Sequence, residues 1–500
     1  MKSAQELVAS ARNAFNNGKT KSREFREKQL QNLLRLVEEN ELEIMEVLAD
    51  DLKKPKAEAC LAEIAYLKND VKGYLYSLKE LMEPEYVEKP LPNVMDTVLI
   101  HPEPYGVCLI IGAWNYPIQL TLSPLTAAIA AGNCAVVKPS EVAPASAKLI
   151  SKLLPKYLDN ECYHVYNGGV AETTELLKQK FDYIFYTGSP EVGKIVYQAA
   201  SKNLTPVTLE LGGKCPVYLD DTVDVESAAA RIVWGKFMNA GQTCIAPDYL
   251  ICTKDVETKF VEAAKKKIKQ YYGENVKKSP DYCRIINNNH AQRILKLIEG
   301  QNIAVGGDHD MSERYIEPTI ITNAKPTDPI MQNEIFGPVL PIHTVKNAQE
   351  ALQFVNSREK PLALYCFSND KQIIDLFLNN TSSGNFLAND VVMHFSCETI
   401  PFGGVGNSGI GSYHGKFGFY TFSHKKGSML RSINKMGEMM QGMRYPPYTE
   451  NKLQTILTAI KKRPPIPGVK YLKSGIIFAL GFMVAVGTNW LLLSKDKRGH

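Results

Sequence analysis

The stretch Tyr183-Ile184-Phe185-Tyr186-Thr187-Gly188-Ser189-Pro190-Glu191-Val192-Gly193 sets the fold class. Its apolar opening reads as a strand, the glycine as a turn, and residues 192–200 continue at helical spacing. A strand that passes through a glycine loop into a helix is half of a βαβ unit. Working outward, the alternation repeats. Residues 107–111, 134–137, 163–166 and 207–211 are short apolar runs that read as strands, and 143–154 reads as a helix. Strands separated by helices predict a parallel sheet. After Gly213 the pattern restarts with a helix over 225–239, a strand over 249–252 and a helix over 256–272. That restart predicts a second α/β body, as a chain of 500 residues requires, because one core does not grow to that size.

The flanks differ. Residues 22–52 place Leu30, Leu33, Leu34, Val37, Ile44 and Val47 at helical spacings, which predicts one or two amphipathic helices. Residues 97–100 read as a strand. Beyond His424 the periodicity weakens into a Met-rich run over 429–443, and Arg444-Tyr445-Pro446-Pro447 breaks any helix. Residues 451–462 suit a short amphipathic helix, and a stiff basic linker, Lys461-Lys462-Arg463-Pro464-Pro465-Ile466-Pro467, follows. Residues 475–493 then run for 19 positions without a charge, about 28 Å as a helix, which matches a bilayer core. A buried core helix is the alternative. The segment's place after a proline-rich linker, with Trp490 near its end, favours a membrane anchor.

Composition narrows the function. The chain is 44% hydrophobic and 22% charged, within the globular range, and its net charge of +5 comes with no basic stripe interleaved with aromatics. Nucleic acid is therefore not an expected partner. None of the ten cysteines forms a Cys-x-x-Cys pair, and no Cys/His spacing suits zinc, so no metal is expected. Most should be small buried hydrophobes in a reducing compartment. The N-terminus lacks the apolar core of a secretory signal, and Glu6 with few arginines speaks against a transit peptide.

Three motifs offer chemistry. Gly188 to Gly193 opens a helix, where free N–H groups suit a phosphate, although an ordinary turn reads the same way. Glu210, in Leu209-Glu210-Leu211-Gly212-Gly213-Lys214, is a candidate general base because the glycines leave room for water; a surface or salt-bridged glutamate is the alternative. Cys244, in Asn239-Ala240-Gly241-Gln242-Thr243-Cys244, lies on a glycine-containing turn and not in an apolar run, which suits a nucleophilic thiol.

These motifs occur in a telling order. Asn115-Tyr116-Pro117, Lys138-Pro139-Ser140-Glu141, the Gly188 loop, 209–214, 241–244, Asn333-Glu334-Ile335-Phe336-Gly337-Pro338 and Pro401-Phe402-Gly403-Gly404 together resemble the aldehyde dehydrogenase superfamily. The resemblance runs from the N-terminal helices to about His424. Phe402 to Gly409 with Tyr413-His414-Gly415-Lys416 and Thr421-Phe422-Ser423-His424, and a short start, are similar to the class 3 branch. Arg444-Tyr445-Pro446-Pro447 before a hydrophobic tail resembles its membrane-anchored fatty aldehyde members.

The resemblance implies a Rossmann-like NAD-binding domain over 1–85 and 108–210, and an α/β catalytic domain over 211–420. It also implies a small β oligomerisation element over 86–107 and 421–445, a linker over 446–474 carrying a helix that gates the substrate tunnel, and a transmembrane helix over 475–493. Cys244 would attack a medium- to long-chain fatty aldehyde, Asn115 would hold the oxyanion, and Glu210 would activate the water that releases the acid. Lys138 and Glu141 would meet the adenosine ribose, and Gly188, Ser189, Pro190, Glu191, Val192 and Gly193 the pyrophosphate. Glu334 and Phe336 would lie at the nicotinamide ribose. Pro190 departs from the Thr or Arg of many relatives, so phosphate contact should differ in detail. The cofactor is expected to be NAD, with NADP as the alternative, and the assembly a homodimer. The catalytic body should face the cytosol from a membrane, the endoplasmic reticulum before the mitochondrial outer membrane or peroxisome. A catalytically silent tethered protein and a CoA-acylating enzyme are the competing readings. Cys244, Glu210 and Asn115 together speak against the first, and Glu210 against the second. His414 reads as a packed core histidine.

Overall fold

A computed structural model describes residues 3–462; the expected anchor over 475–493 and the linker from residue 463 lie outside the described residues. The described residues divide into two compact units, 3–84 with 101–426, and 85–100 with 427–462. Among the described residues no helix is long and apolar enough to cross a membrane.

The larger unit holds two large sheets and a two-stranded ribbon, His309–Asp310 with Tyr315–Ile316. The first runs in the order Gly409–Ile410, Val207–Glu210, Tyr183–Thr187, Val107–Ile111, Cys134–Lys138, Tyr163–Val165. Its last five strands are parallel. Every residue of Val107–Ile111 and Cys134–Lys138 is buried, as central strands covered on both faces must be. Gly409–Ile410 joins the edge antiparallel, pairing Gly409 with Glu210 and Ile410 with Leu209. The second sheet orders Ile303–Val305, Thr319–Ile321, Val339–Thr344, Tyr249–Cys252, Pro216–Leu219, Ala363–Phe367 and Asn385–Ala388, parallel except at Ile303–Val305. The expected α/β class with two parallel sheets is therefore observed.

Helices flank these sheets for readable reasons. Arg23–Glu39 is capped by Ser22, whose hydroxyl accepts from the Phe25 N–H, and buries Leu30, Leu33, Leu36 and Val37. Each such leucine contributes about 1.5–3 kcal/mol by leaving water. Gln119–Ala131 is buried on every side and ends at Gly132, whose φ of 91° reverses the chain. Ahead of the helix Tyr66–Met82 the chain makes a π-helical turn, Ala59–Ala65, a form rare enough to mark a site of interest.

The smaller unit pairs Glu85 with Ile100 and Tyr86 with Leu99. Asp96 accepts from Arg431 Nη2 at 2.7 Å, tying the two chain segments of that unit together. Its helix Glu450–Ile460 exposes Leu453, Leu457 and Ile460 on one face.

Candidate active site

A cavity of about 1900 Å³ opens in the larger unit. Asn115, Lys138, Glu141, Glu210, Cys244, Glu334, Phe336 and the loop Gly188 to Val192 all line it. Gly193 does not. A Cβ there would lie 2.8 Å from a Leu211 methyl carbon, so this glycine serves helix-to-sheet packing behind the loop.

Cys244 follows a strained turn. Asn239 and Ala240 both have φ of 52° and Gly241 has 73°, a left-handed run that only glycine adopts freely. A Cβ on Gly241 would sit 2.2 Å from the Gly337 carbonyl oxygen, so no larger residue fits. Asn239 is held in place by its own amide, which donates to the Asn115 carbonyl at 2.9 Å and to the Gln242 carbonyl at 3.0 Å. Seven of the ten cysteines are buried, whereas Cys244 is partly exposed, to the cavity. Burial pushes its thiol up to about 12, and Glu334 and Glu210 add to the effect; the N–H groups of Cys244 and Ile245 oppose it by favouring thiolate.

Asn115 lies beyond the end of Val107–Ile111 and is buried. Its Nδ2 donates to the Gln242 carbonyl at 3.1 Å, leaving the second amide hydrogen available. Glu210 ends its strand, and neither carboxylate oxygen has a hydrogen-bond partner among the described residues. Burial alone raises its pKa well above the usual carboxylate range, so it holds a proton readily, as a general base requires.

The other end of the cavity suits a dinucleotide. Lys138 ends the strand Cys134–Lys138 and pairs with Glu141, offering a donor and an acceptor to sugar hydroxyls. Ser189 caps the helix Pro190–Ser201 by accepting from the Val192 N–H, and the helix N-terminus favours an anion. Pro190 takes the first helical position, where its missing N–H costs nothing. At Gly212 a Cβ would lie 2.1 Å from Glu334 Oε2, so the carboxylate approaches bare backbone. Burial pushes Glu334 up to about 8, with Asp248 adding, against the Gly213 N–H, Lys214 and Arg293. Phe336 meets Trp114 edge-on at 5.2 Å. The loop bearing both is pinned by Arg293 to the Ile335 carbonyl at 2.6 Å and by Lys214 to the Asn333 carbonyl at 3.0 Å. Anion-ready helix end, sugar-ready ion pair and bare-backbone cradle together fit a nicotinamide dinucleotide.

Beyond Cys244 the wall turns apolar through Leu61, Tyr66, Leu120, Trp234, Val392 and Phe395. His414 is buried outside this lining, its ring stacked on Phe402 at 4.9 Å, which makes it a packing residue.

Sequence reading missed several site residues. Trp114 and Trp234 line the cavity yet carry no motif, and Lys54, Glu63 and Lys236, charged residues outside every motif, are buried behind it. The one available signal was the proximity of Trp114 to Asn115 in the chain.

A family model described as the aldehyde dehydrogenase family matches residues 1–427. Among similar proteins, aldehyde dehydrogenase family 3 member A2 of Mus musculus is 50% identical over 449 residues, 90% of this chain and 92% of that one. The aldehyde dehydrogenase of Rattus norvegicus named dimeric and NADP-preferring is 50% identical over 447 residues, 89% and 98% of the two chains. The solved substrate-bound state of Staphylococcus aureus AldH superposes with a TM-score of 0.89 at 42% identity, covering 92% of this chain and all of that one. With its sheets, its thiol-bearing cavity and these relatives, the chain belongs to the aldehyde dehydrogenase family, in its class 3 branch, and is an NAD(P)-dependent aldehyde dehydrogenase.

Proposed function

We propose that this enzyme oxidises medium- to long-chain fatty aldehydes to carboxylic acids, with Cys244 as nucleophile, Asn115 as oxyanion donor and Glu210 as general base. The observation that carries the reading is one cavity in which a partly exposed thiol, a buried carboxamide and an unpartnered carboxylate adjoin an apolar wall. Cys244 sulfur adds to the aldehyde carbon, and the carbonyl oxygen takes up negative charge. Asn115 Nδ2–H and the Cys244 N–H donate to that oxygen, an aimed pair that strengthens as charge develops. The C–H hydride of the adduct would leave for bound NAD⁺, leaving a thioester on Cys244, and Lys138, Glu141, Ser189, Glu334 and Phe336 would hold the cofactor's sugars, phosphates and ring. Glu210 then takes a proton from water, and the hydroxide attacks the Cys244 thioester to free the acid. Leu61, Trp234 and Phe395 exclude bulk water and favour an alkyl chain.

Residues 1–85 with 108–210 would form the dinucleotide-binding half, residues 211–420 the catalytic half, and 86–107 with 421–445 the dimer-forming element. A relative named dimeric and NADP-preferring supports the homodimer; the Glu141 carboxylate, which would repel a 2′-phosphate, supports NAD over NADP. The uncharged run over 475–493 supports a membrane anchor; the catalytic body would face the cytosol, and the family resemblance favours the endoplasmic reticulum over the mitochondrial outer membrane or peroxisome. A fatty aldehyde gains about 0.8 kcal/mol per methylene buried in a bilayer, so an anchored enzyme would meet it there.

Hexadecanal and NAD⁺ supplied to the wild type, Cys244→Ser and Glu210→Gln test the scheme. Wild type should release NADH and palmitate, Cys244→Ser should lose at least about a thousandfold in turnover, and Glu210→Gln should accumulate acyl-enzyme seen as a mass increase on Cys244. No NADH from the wild type, or acyl release only when CoA is added, would overturn the reading.

A further inference from the structure

The reaction scheme leaves a sealed, charged cluster unused. The Lys54 and Glu63 side chains are wholly buried, with Nζ 2.6 Å from Oε1. A buried ion pair is costly unless its remaining donors and acceptors are also used. Here they are, and all on one segment. Lys54 Nζ donates to the Asn115 carbonyl oxygen at 3.0 Å and lies 4.1 Å from the Tyr116 ring centroid. Glu63 Oε2 accepts from the N–H groups of Ile118 at 2.9 Å and Gln119 at 3.2 Å. Those groups begin the helix Gln119–Ala131, the end at which a negative charge is favoured. One ion pair thus grips residues 115–119 from both ends. Glu63 reaches them from the π-helical turn Ala59–Ala65.

The same carbonyl also accepts from Asn239 Nδ2, at 2.9 Å. Asn239 belongs to the strained turn before Cys244, and its N–H donates to Glu58 Oε2 at 2.9 Å, one turn before Glu63. The peptide that carries Asn115 therefore hangs between the Cys244 loop and the segment 54–63. Two donors saturate its carbonyl, which removes the freedom of that peptide to rotate.

We propose that Lys54 and Glu63 are positioning residues for the oxyanion site: their ion pair sets the direction of the Asn115 carboxamide relative to Cys244. The inference rests on the reading of Asn115 as the oxyanion donor. A pair that merely staples residues 53–65 to the helix would stabilise the fold without acting through Asn115.

The test is a double-mutant cycle on the full-length enzyme with hexanal and NAD⁺, with rates normalised to titrated Cys244. Lys54→Met with Glu63→Leu removes both charges together, so no lone buried charge remains. Glu63→Gln, which keeps the side-chain shape, serves as a second variant should the pair fail to fold. Each is measured in the wild-type and the Asn115→Ala background, beside the Kd for NAD⁺ by fluorescence. The expected result is a fall in kcat of about 10- to 100-fold, the range for residues that orient a reacting group, with an unchanged Kd and no further loss in the Asn115→Ala background. An equal loss in both backgrounds, or a wild-type kcat in a folded variant, overturns the inference. An Asn115→Ala enzyme running at the wild-type rate instead overturns the role of Asn115, and the inference with it.

Discussion

At the scale of single residues, Cys244 combines access with a thiol that its surroundings keep protonated. Burial and two neighbouring carboxylates push it up to about 12, and only thiolate reacts. In cofactor-free enzyme, carbamidomethylation of Cys244 by iodoacetamide should therefore rise about tenfold for each pH unit between 7 and 9. Peptide mass spectrometry would follow it, with exposed Cys397 as the internal reference. A plateau near pH 8 would refute the raised value. Cys244, Glu210 and the Gly188 loop each carry a local signature of glycine and functional group, but only their order among the other motifs, through the family resemblance, assigns them roles. Lys54 carries no such signature. It stands in Lys53-Lys54-Pro55-Lys56, a charge run that reads as solvated surface, and only tertiary packing buries it. Gly193 illustrates the reverse: its loop suggested phosphate contact, while its space is taken up by Leu211.

At the scale of elements, the strands announced themselves as short apolar runs, since both faces of a parallel sheet are covered. The π-helical turn at Ala59–Ala65 was hidden, because it depends on what Glu63 reaches and not on local propensity. The contact between helices Tyr66–Met82 and Gln119–Ala131 conceals a carboxyl too. Asp70 Oδ2 accepts from the Ser123 hydroxyl at 2.7 Å, and burial pushes Asp70 up to about 7. Between its ordinary 3.8 and 7 the folded chain keeps a proton that the unfolded chain has released. This group's contribution to stability therefore falls as pH rises through that window. Asp70→Asn, neutral at every pH, should melt a few degrees above the wild type at pH 8, and the gap should close by about pH 4. Calorimetry at both pH values checks this; a gap that does not change with pH would contradict it.

At the scale of the whole molecule, the proposed gate, helix Glu450–Ile460, and the proposed anchor, the uncharged run 475–493, would have separate tasks. A chain ended after residue 462 should leave carbonate-washed membranes and keep its kcat on hexanal, while losing its rate advantage on hexadecanal held in vesicles. Ending the chain after residue 449 should further alter the ratio of kcat/KM between long and short aldehydes, because the stripe of Leu453, Leu457 and Ile460 is then gone. An unchanged ratio would remove the gating role. The strand bearing Glu210 is completed only when Gly409 and Ile410 lie beside it, about two hundred residues later. A growing chain on the ribosome therefore holds its nucleophile long before it holds the edge that frames its base. A polypeptide released early would carry Cys244 without the strand that frames Glu210.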